Sequence, residues 1–284
     1  MKLKIAIQKK GYTTDEVLLL LKKAGFRFSI SDRKLVIPCK NFPMEILLVR
    51  NSDIPSYIEQ GVADIGFIGQ NLINEKNCQL EVLKTTPLAN CRLSVIVPEK
   101  SEIQSINDLK GKTIATSYMN STQKFFKEKE IDVNLVYLQG SVEIAPQMGM
   151  ADAISDLVST GSTIRAQRLR EIDVVFNSNL VLIGKRNSEL LDEFLFRIST
   201  ILNAYNKKLY VFDAPKANID EIVRMIPSAE SPTISPLSNS DWVACSTVID
   251  DDQFWDITQK IKALGAKAIF TQDIEKLVLG KSIF

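Results

Sequence analysis

Apolar positions near the start of the chain recur at every second residue. Leu3, Ile5 and Ile7 share one face, which predicts a strand over 2–8. The period then lengthens: Thr13 and Glu16 stand three apart as a capping box, predicting a helix over 15–24 that Gly25 stops. A strand is expected over 45–50. Asn51-Ser52-Asp53-Ile54-Pro55 then opens a helix that closes at Gly61, and a strand over 63–69 follows, whose Gly66 and Gly69 admit a close neighbour. A second block begins with a strand over 91–98. Its continuation is a short helix ended by Gly111, a strand over 112–116, a helix over 120–130 and a strand over 134–138. Gly140-Ser141-Val142-Glu143 starts a further helix, with Ser141 as cap and Glu143 in the first turn. Strands alternating with helices at this spacing make a parallel α/β sheet.

The stretch from Ala151 to Thr163 carries the most chemistry. Apolar residues alternate with acidic or small ones over 151–156, the pattern of a short strand, and 163–169 reads as a helix. Between them, Ser159, Thr160, Gly161, Ser162 and Thr163 are a run of hydroxyls around one glycine. A strand that empties into such a turn and then a helix offers backbone N–H groups and a positive dipole end to a phosphate. As a bare pattern it reads equally as a tight turn whose hydroxyls cap a helix. Asp152 and Asp156 are four apart, so on a strand they share a face, where they can accept hydrogen bonds from sugar hydroxyls or hold a metal ion. Gln8-Lys9-Lys10-Gly11 is either a solvated charged turn or an anion trap at the carboxyl end of a strand. Arg50, at another strand end, suits a phosphate clamp or a surface ion pair.

After strands over 173–176 and 180–183, a long helix over 188–206 returns the chain toward its first block. The rhythm changes from about 208. A strand (209–212), a helix (219–226), two strands (233–237 and 243–248), a helix (254–264) closed by Gly265 and a last strand (268–271) give the order βαββαβ, which is ferredoxin-like. By fold analogy this suggests an ACT-like regulatory unit. Residues 228–232 read as a loop, and no internal repeat or low-complexity tract is visible.

Composition matters here mainly through what it removes. The 284 residues contain no histidine, which excludes Ser-His and Cys-His nucleophile pairs, His-ligated zinc and any imidazole base. Cys39, Cys78, Cys91 and Cys245 lack CxxC spacing, which argues against a zinc site or a disulfide framework and favours a reducing cytoplasm. A formal net charge of +1 gives no footprint for nucleic acid or an anionic membrane. The start runs straight into a strand, so no signal peptide is expected, and no apolar run approaches membrane-spanning length. The length suits two or three domains.

From Ala151 to Thr163 the string resembles, nearly residue for residue, the phosphoribosyl-diphosphate loop of the ATP phosphoribosyltransferase family. The likeness continues in order through Ile5 to Gly11, Val49-Arg50 with Asp53-Ile54-Pro55, Gly61 to Gly69, Cys91-Arg92-Leu93, Ile114 to Tyr118 and Gly140 to Pro146. Glu230 to Leu237 and Ala263 to Ala266 resemble the regulatory domain of the family's long form.

The resemblance implies a two-lobed, periplasmic-binding-protein-like catalytic core. Lobe I would span 1–90, completed by about 178–206, lobe II 91–177, and an ACT-like domain 208–284. It implies that N1 of the ATP adenine displaces diphosphate from phosphoribosyl diphosphate with Mg²⁺ present. Asp152, Asp156, Glu143 and Lys9 would then serve the reacting centre, Asp152 and Asp156 also holding the metal. Ser159, Thr160, Gly161, Ser162 and Thr163 would grip the 5-phosphate, and Gln8, Lys10, Arg50, Asp64 and Arg92 would serve ATP and diphosphate. Histidine as feedback inhibitor is implied too, with Asp213 and Thr233 as contacts, or else as a surface turn and a strand hydroxyl. So is assembly into dimers and hexamers. A prephenate dehydratase would need a Thr-Arg-Phe triplet, which the chain lacks, and a solute-binding protein leaves the terminal βαββαβ unit unexplained.

Overall fold

The alternating start of the chain forms β1 (Leu3–Gln8), and after it come α1 (Tyr12–Lys23), β2 (Val36–Pro38), β3 (Met44–Val49), α2 (Ile54–Glu59), β4 (Ile65–Gly69), α3 (Gln70–Lys76) and β5 (Glu81–Thr85). The second block gives β6 (Cys91–Pro98), β7 (Thr113–Thr116), α4 (Met119–Glu128), β8 (Asn134–Tyr137), β9 (Ala153–Val158), α5 (Ser162–Ala166) and β10 (Leu169–Ser178). β11 (Leu180–Gly184) then joins the first sheet, pairing antiparallel with β4 and β5. These are the findings of a computed structural model that describes residues 2–30, 34–185, 188–227, 231–239 and 241–280. Two units divide the chain, Met1–Lys22 with Phe26–Leu191, and Lys23–Gly25 with Asp192–Phe284.

The first unit holds two sheets, ordered β2-β3-β1-β4-β11-β5 and β10-β6-β9-β7-β8. Both contain a parallel trio, β3-β1-β4 in one and β8-β7-β9 in the other, continued on one side by two strands in antiparallel pairing, and β2 adds a sixth strand, antiparallel to β3, to the first. Apart from β2, the two sheets thus repeat one strand arrangement, although the residues themselves show no repeat. Both faces of the second sheet are covered, one by the cluster of Val95, Ile114 and Phe126, the other by that of Ile96, Val142 and Ile164. That two-sided burial explains why the central strands are apolar almost throughout. The connections between the sheets are tied together: Thr86 donates from both its amide and its hydroxyl to the Leu180 carbonyl (3.0 and 2.8 Å), and the Leu180 amide donates to Leu88 (2.9 Å).

Several local expectations are corrected. α1 begins at Tyr12, so Thr13 and Glu16 lie inside the helix rather than at a capping box. Thr14 is buried instead, donating its hydroxyl to the Gln8 carbonyl at 3.0 Å. Ser141 makes no cap bond; it takes a left-handed φ of 50°, and only a 3-10 turn, Val142–Ile144, follows.

In the second unit, α6 (Glu189–Asn203) leads to β12 (Lys207–Pro215), α7 (Ile219–Met225), β13 (Thr233–Pro236), β14 (Trp242–Asp250), α8 (Phe254–Ala263) and β15 (Lys267–Asp273). The sheet order β13-β14-β12-β15, antiparallel throughout, is the ferredoxin-like arrangement of a βαββαβ chain. Alternate residues of β12 and β14 (Tyr210, Phe212, Ala214; Val243, Cys245, Ile249) pack with Ile222, Ile257 and Ile261 of the two helices. The motif Glu230 to Leu237 begins outside the described residues, as do 228 and 229 of the expected loop.

Candidate functional site

At the carboxyl edge of the first sheet, Gln8 pairs with Val49, and the Lys9 amide donates to the Val49 carbonyl at 2.8 Å. This pairing brings Lys9, Lys10 and Arg50 together as exposed cations where two parallel strands end. Open α/β sheets bind ligands at such an edge. Gln8 shapes the turn rather than facing outward freely, since its side-chain amide donates to the Lys10 carbonyl at 2.6 Å. Gly11 has φ +124°, a conformation L side chains rarely adopt.

The second sheet contributes the hydroxyl loop at the carboxyl edge of β9. Ser159, Thr160, Ser162 and Thr163 are all exposed, and the Thr160 and Ser162 hydroxyls lie 3.1 Å apart. Gly161 caps α5 at φ +74°, and a Cβ there would stand 3.0 Å from Nη1 of Arg165. The first amides of a helix have no intrahelical partner, so this turn presents donors beside its hydroxyls. Asp156, two residues before the strand's end, is half-buried and accepts the Leu157 amide at 2.8 Å. Burial pushes its carboxyl above the usual range, and the Glu143 charge adds to the rise. Asp156 and Glu143 therefore share one field. Tyr118 senses it too: its phenol is pushed up to about 12, by burial first, with Asp156, Cys91 and Glu75 contributing.

Arg92 lies beside the loop, but it is not a free cation. Its Nε and Nη2 donate to the two carboxylate oxygens of Glu171 (2.6 and 2.5 Å), and its Nη1 reaches the Ser159 carbonyl at 3.4 Å. The buried Ser94 hydroxyl donates to the same carboxylate at 2.8 Å. Hydrogen bonding from Arg92 holds the Glu171 carboxyl below its ordinary value.

Two expected site residues lie elsewhere. Asp152 precedes the amino end of β9, where its carboxylate accepts the Thr113 amide at 2.9 Å and stands 3.7 Å from Lys112. Four residues of extended strand separate its Cα from that of Asp156 by about 13 Å, so the two cannot share one metal ion or one ribose. Asp64 does the same work in the first sheet, accepting the Lys4 amide at 2.7 Å at the amino end of β4. In both cases a backbone donor at the start of a parallel strand has captured the acid.

The two carboxyl edges meet through residues that the sequence did not single out. Asn71, just past β4, donates to the Tyr118 hydroxyl at 3.0 Å, and its amide donates to the Ser178 hydroxyl at 2.9 Å. Glu75 accepts the Asn120 and Ser121 amides, both at 3.0 Å, so a carboxylate on α3 caps the start of α4. Their one signal in the sequence is position, immediately after a predicted strand or before a predicted helix. In the second unit, Thr233 faces Ser246 across the ladder, and Asp213 lies on the same face. Leu209, Thr233, Ser246, Val248 and the segment Leu277 to Leu279 line a cavity of about 220 Å³, which Asp213 does not reach.

Among the described residues there is no group of three or more carboxylates or thiols able to hold a metal, and no helix long and apolar enough to cross a membrane. Comparison with known proteins is decisive about kinship. The family profile described as ATP phosphoribosyltransferase matches residues 50–207, and that of the HisG C-terminal domain matches 204–276. A Parabacteroides distasonis protein described as ATP phosphoribosyltransferase is 42% identical over 282 residues, 98% of this chain and 100% of its own length. One of the same description from Bacteroides fragilis is 39% identical over the same span. A solved chain from the Thermotoga maritima ATP phosphoribosyl transferase (HisG:HisZ) complex is 30% identical with a TM-score of 0.59, covering 69% of this chain and 96% of that one.

Proposed function

The chain belongs to the ATP phosphoribosyltransferase family, and from that premise we propose that it joins N1 of the ATP adenine to C1 of phosphoribosyl diphosphate, with the C1–O bond breaking and diphosphate leaving with the electron pair. The observation that carries this reading is the exposed hydroxyl-glycine loop one residue beyond β9, with Asp156 just before it and Glu143 in the same field. Ser159, Thr160, Gly161, Ser162 and Thr163 take the 5-phosphate. Asp156 and Glu143 stand beside the ribose, where positive charge develops as the leaving group departs. Lys9, Lys10 and Arg50 take the polyphosphate charge. Adenine N1 attacks with a neutral lone pair, so the chemistry needs no histidine base, and the chain has none.

Mg²⁺ fits this donor set. It is commonly held by one or two carboxylates together with substrate phosphates, and the burial and the Glu143 charge that raise the proton affinity of Asp156 are relieved by a cation. Bound there, it would neutralise charge on the departing diphosphate.

In the second unit, the proposed effector is histidine, received on the outer sheet face that carries Asp213 and Thr233. The family's C-terminal profile and the ferredoxin-like topology support that reading. Assembly into dimers and hexamers in the cytoplasm completes it. Mixing the purified protein with ATP, phosphoribosyl diphosphate and Mg²⁺ should give an adenine-modified product visible by absorbance, inhibited by added histidine. Absence of product with folded protein would overturn the catalytic reading. Thr160→Val should raise the KM for phosphoribosyl diphosphate without changing the melting temperature.

A further inference from the structure

The loop leaves the sheet at Ser159, immediately after Val158 pairs with Arg92. Beyond that pair its entry is held from Arg92 and Asn90: Nη1 of Arg92 reaches the Ser159 carbonyl, and the Ser159 hydroxyl donates to the Asn90 carbonyl, each at 3.4 Å. An arginine side chain left to itself samples many rotamers, and fixing one costs side-chain entropy. Here two of its nitrogens are already seated on Glu171, which removes that freedom before any substrate arrives. Glu171 is itself aimed by the backbone. Leu169, Arg170 and Glu171 run in unbroken register with Pro98, Val97 and Ile96, and β10 slips only beyond them, between Glu171 and Asp173. Facing partners share a sheet face, and Ile96 shares its face with Ser94 and Arg92, so the pairing with Ile96 turns the carboxylate toward them. The buried Ser94 hydroxyl then pins one of its oxygens.

We propose that Glu171 is a positioning residue for the phosphoribosyl loop: it locks the Arg92 guanidinium in the one orientation from which Nη1 holds the Ser159 carbonyl and fixes the loop's entry. This rests on the loop being the phosphoribosyl-diphosphate site. Arg92 accordingly serves as a brace, its charge already matched by a carboxylate, while the polyphosphate charge is met by the exposed cations of the other lobe.

The test uses the full-length protein and the variants Glu171→Ala, Glu171→Gln, Arg92→Ala and Arg92→Ala/Glu171→Ala. Glu171→Ala should raise the KM for phosphoribosyl diphosphate about tenfold, equivalent to ~1.4 kcal/mol, with kcat and the KM for ATP changing less than about threefold. In the Arg92→Ala background the same substitution should add less than about twofold, because residues acting as one unit are not additive. Should Glu171→Ala fail to fold, the near-isosteric Glu171→Gln decides. Amide exchange at Thr160 to Thr163 should quicken in it without substrate, while exchange in β9 stays as in the wild type. Protection of those amides in the wild type by phosphoribosyl diphosphate with Mg²⁺ checks the underlying site separately. Wild-type protection with unchanged loop exchange in the variants, equal effects on both KM values, or multiplicative effects in the double variant would refute the role of Glu171. No wild-type protection would remove the site itself and the proposal with it.

Discussion

Gly161→Ala separates the loop's backbone geometry from its chemistry. Gly161 sits at φ +74°, and the atom nearest a new Cβ, at 3.0 Å, is Nη1 of Arg165, the far end of a flexible side chain that can swing aside. The cost is therefore backbone strain rather than a clash. A left-handed non-glycine residue costs about 1–2 kcal/mol, and the stiffer unfolded chain returns roughly 0.4–1 kcal/mol of that. A net loss of about 1 kcal/mol lowers the melting temperature by about 2–4 °C in a unit of this size. If the loop relaxes away from that conformation, phosphoribosyl diphosphate must restore it on binding, and ~1 kcal/mol weakens affinity about fivefold. Gly111→Ala is the control, since Gly111 has φ +72° with open space around its Cβ position and lies in a turn before β7. Thermal melts of both variants, with and without phosphoribosyl diphosphate and Mg²⁺, read both quantities. Both should melt lower by similar amounts, and only Gly161→Ala should lose ligand affinity. Equal loss of affinity in the two, or none in Gly161→Ala despite a lowered melt, refutes the argument that this glycine shapes a binding loop.

Asp152→Ala should cost about 1–2 kcal/mol in urea unfolding, the penalty for stranding the Thr113 amide, and leave kcat/KM within about threefold; a collapse of kcat with intact stability would return Asp152 to the reacting centre. Asp156 has a raised proton affinity in the folded state, so folded protein binds more protons than unfolded, and stability falls as pH rises from the ordinary aspartate range through the raised value. Asp156→Asn should consequently melt at or above the wild type at neutral pH, lose that advantage in acid, and turn over at least about a hundredfold more slowly; a variant less stable at neutral pH than in acid, relative to wild type, contradicts the assignment. Glu75→Ala removes the acceptor of two amides at the start of α4 and should lower the urea midpoint by the equivalent of about 1–2 kcal/mol with an unchanged m-value.

Much of the architecture was readable because buried strands and amphipathic helices leave periodic apolar traces. β1, β6 and β9 announced themselves this way, as did the βαββαβ order of the second unit. What escaped had no such trace. β2 and β5 are short edge strands, largely exposed, and α3 has seven residues with apolar side chains only at Leu72 and Ile73. Ser141 carried a cap's chemistry, but its backbone lies in the left-handed region, where no cap bond forms. The site divides similarly. The hydroxyl loop and the Lys9–Lys10 turn were visible as local strings. The pairing of Asp152 with Asp156 failed because period-two spacing reports which face a residue occupies and says nothing of which end of the strand it is on. Glu171 was invisible because its place beside Arg92 and Ser94 comes from the pairing of β10 with β6, strands far apart in the chain, which no linear pattern reports.

Asp64 and Asp152 occupy matching places in sheets of matching strand order, each clasping the amide of a neighbouring strand where the parallel trio starts. Mechanical anchorage is thereby gathered along one rim of each sheet and the proposed reactivity along the other. Mutational load should divide the same way: substitutions on the anchoring rim shift how much enzyme survives heat or proteolysis, those on the reactive rim shift how fast each surviving molecule works, and the two traits can be tuned separately in one chain.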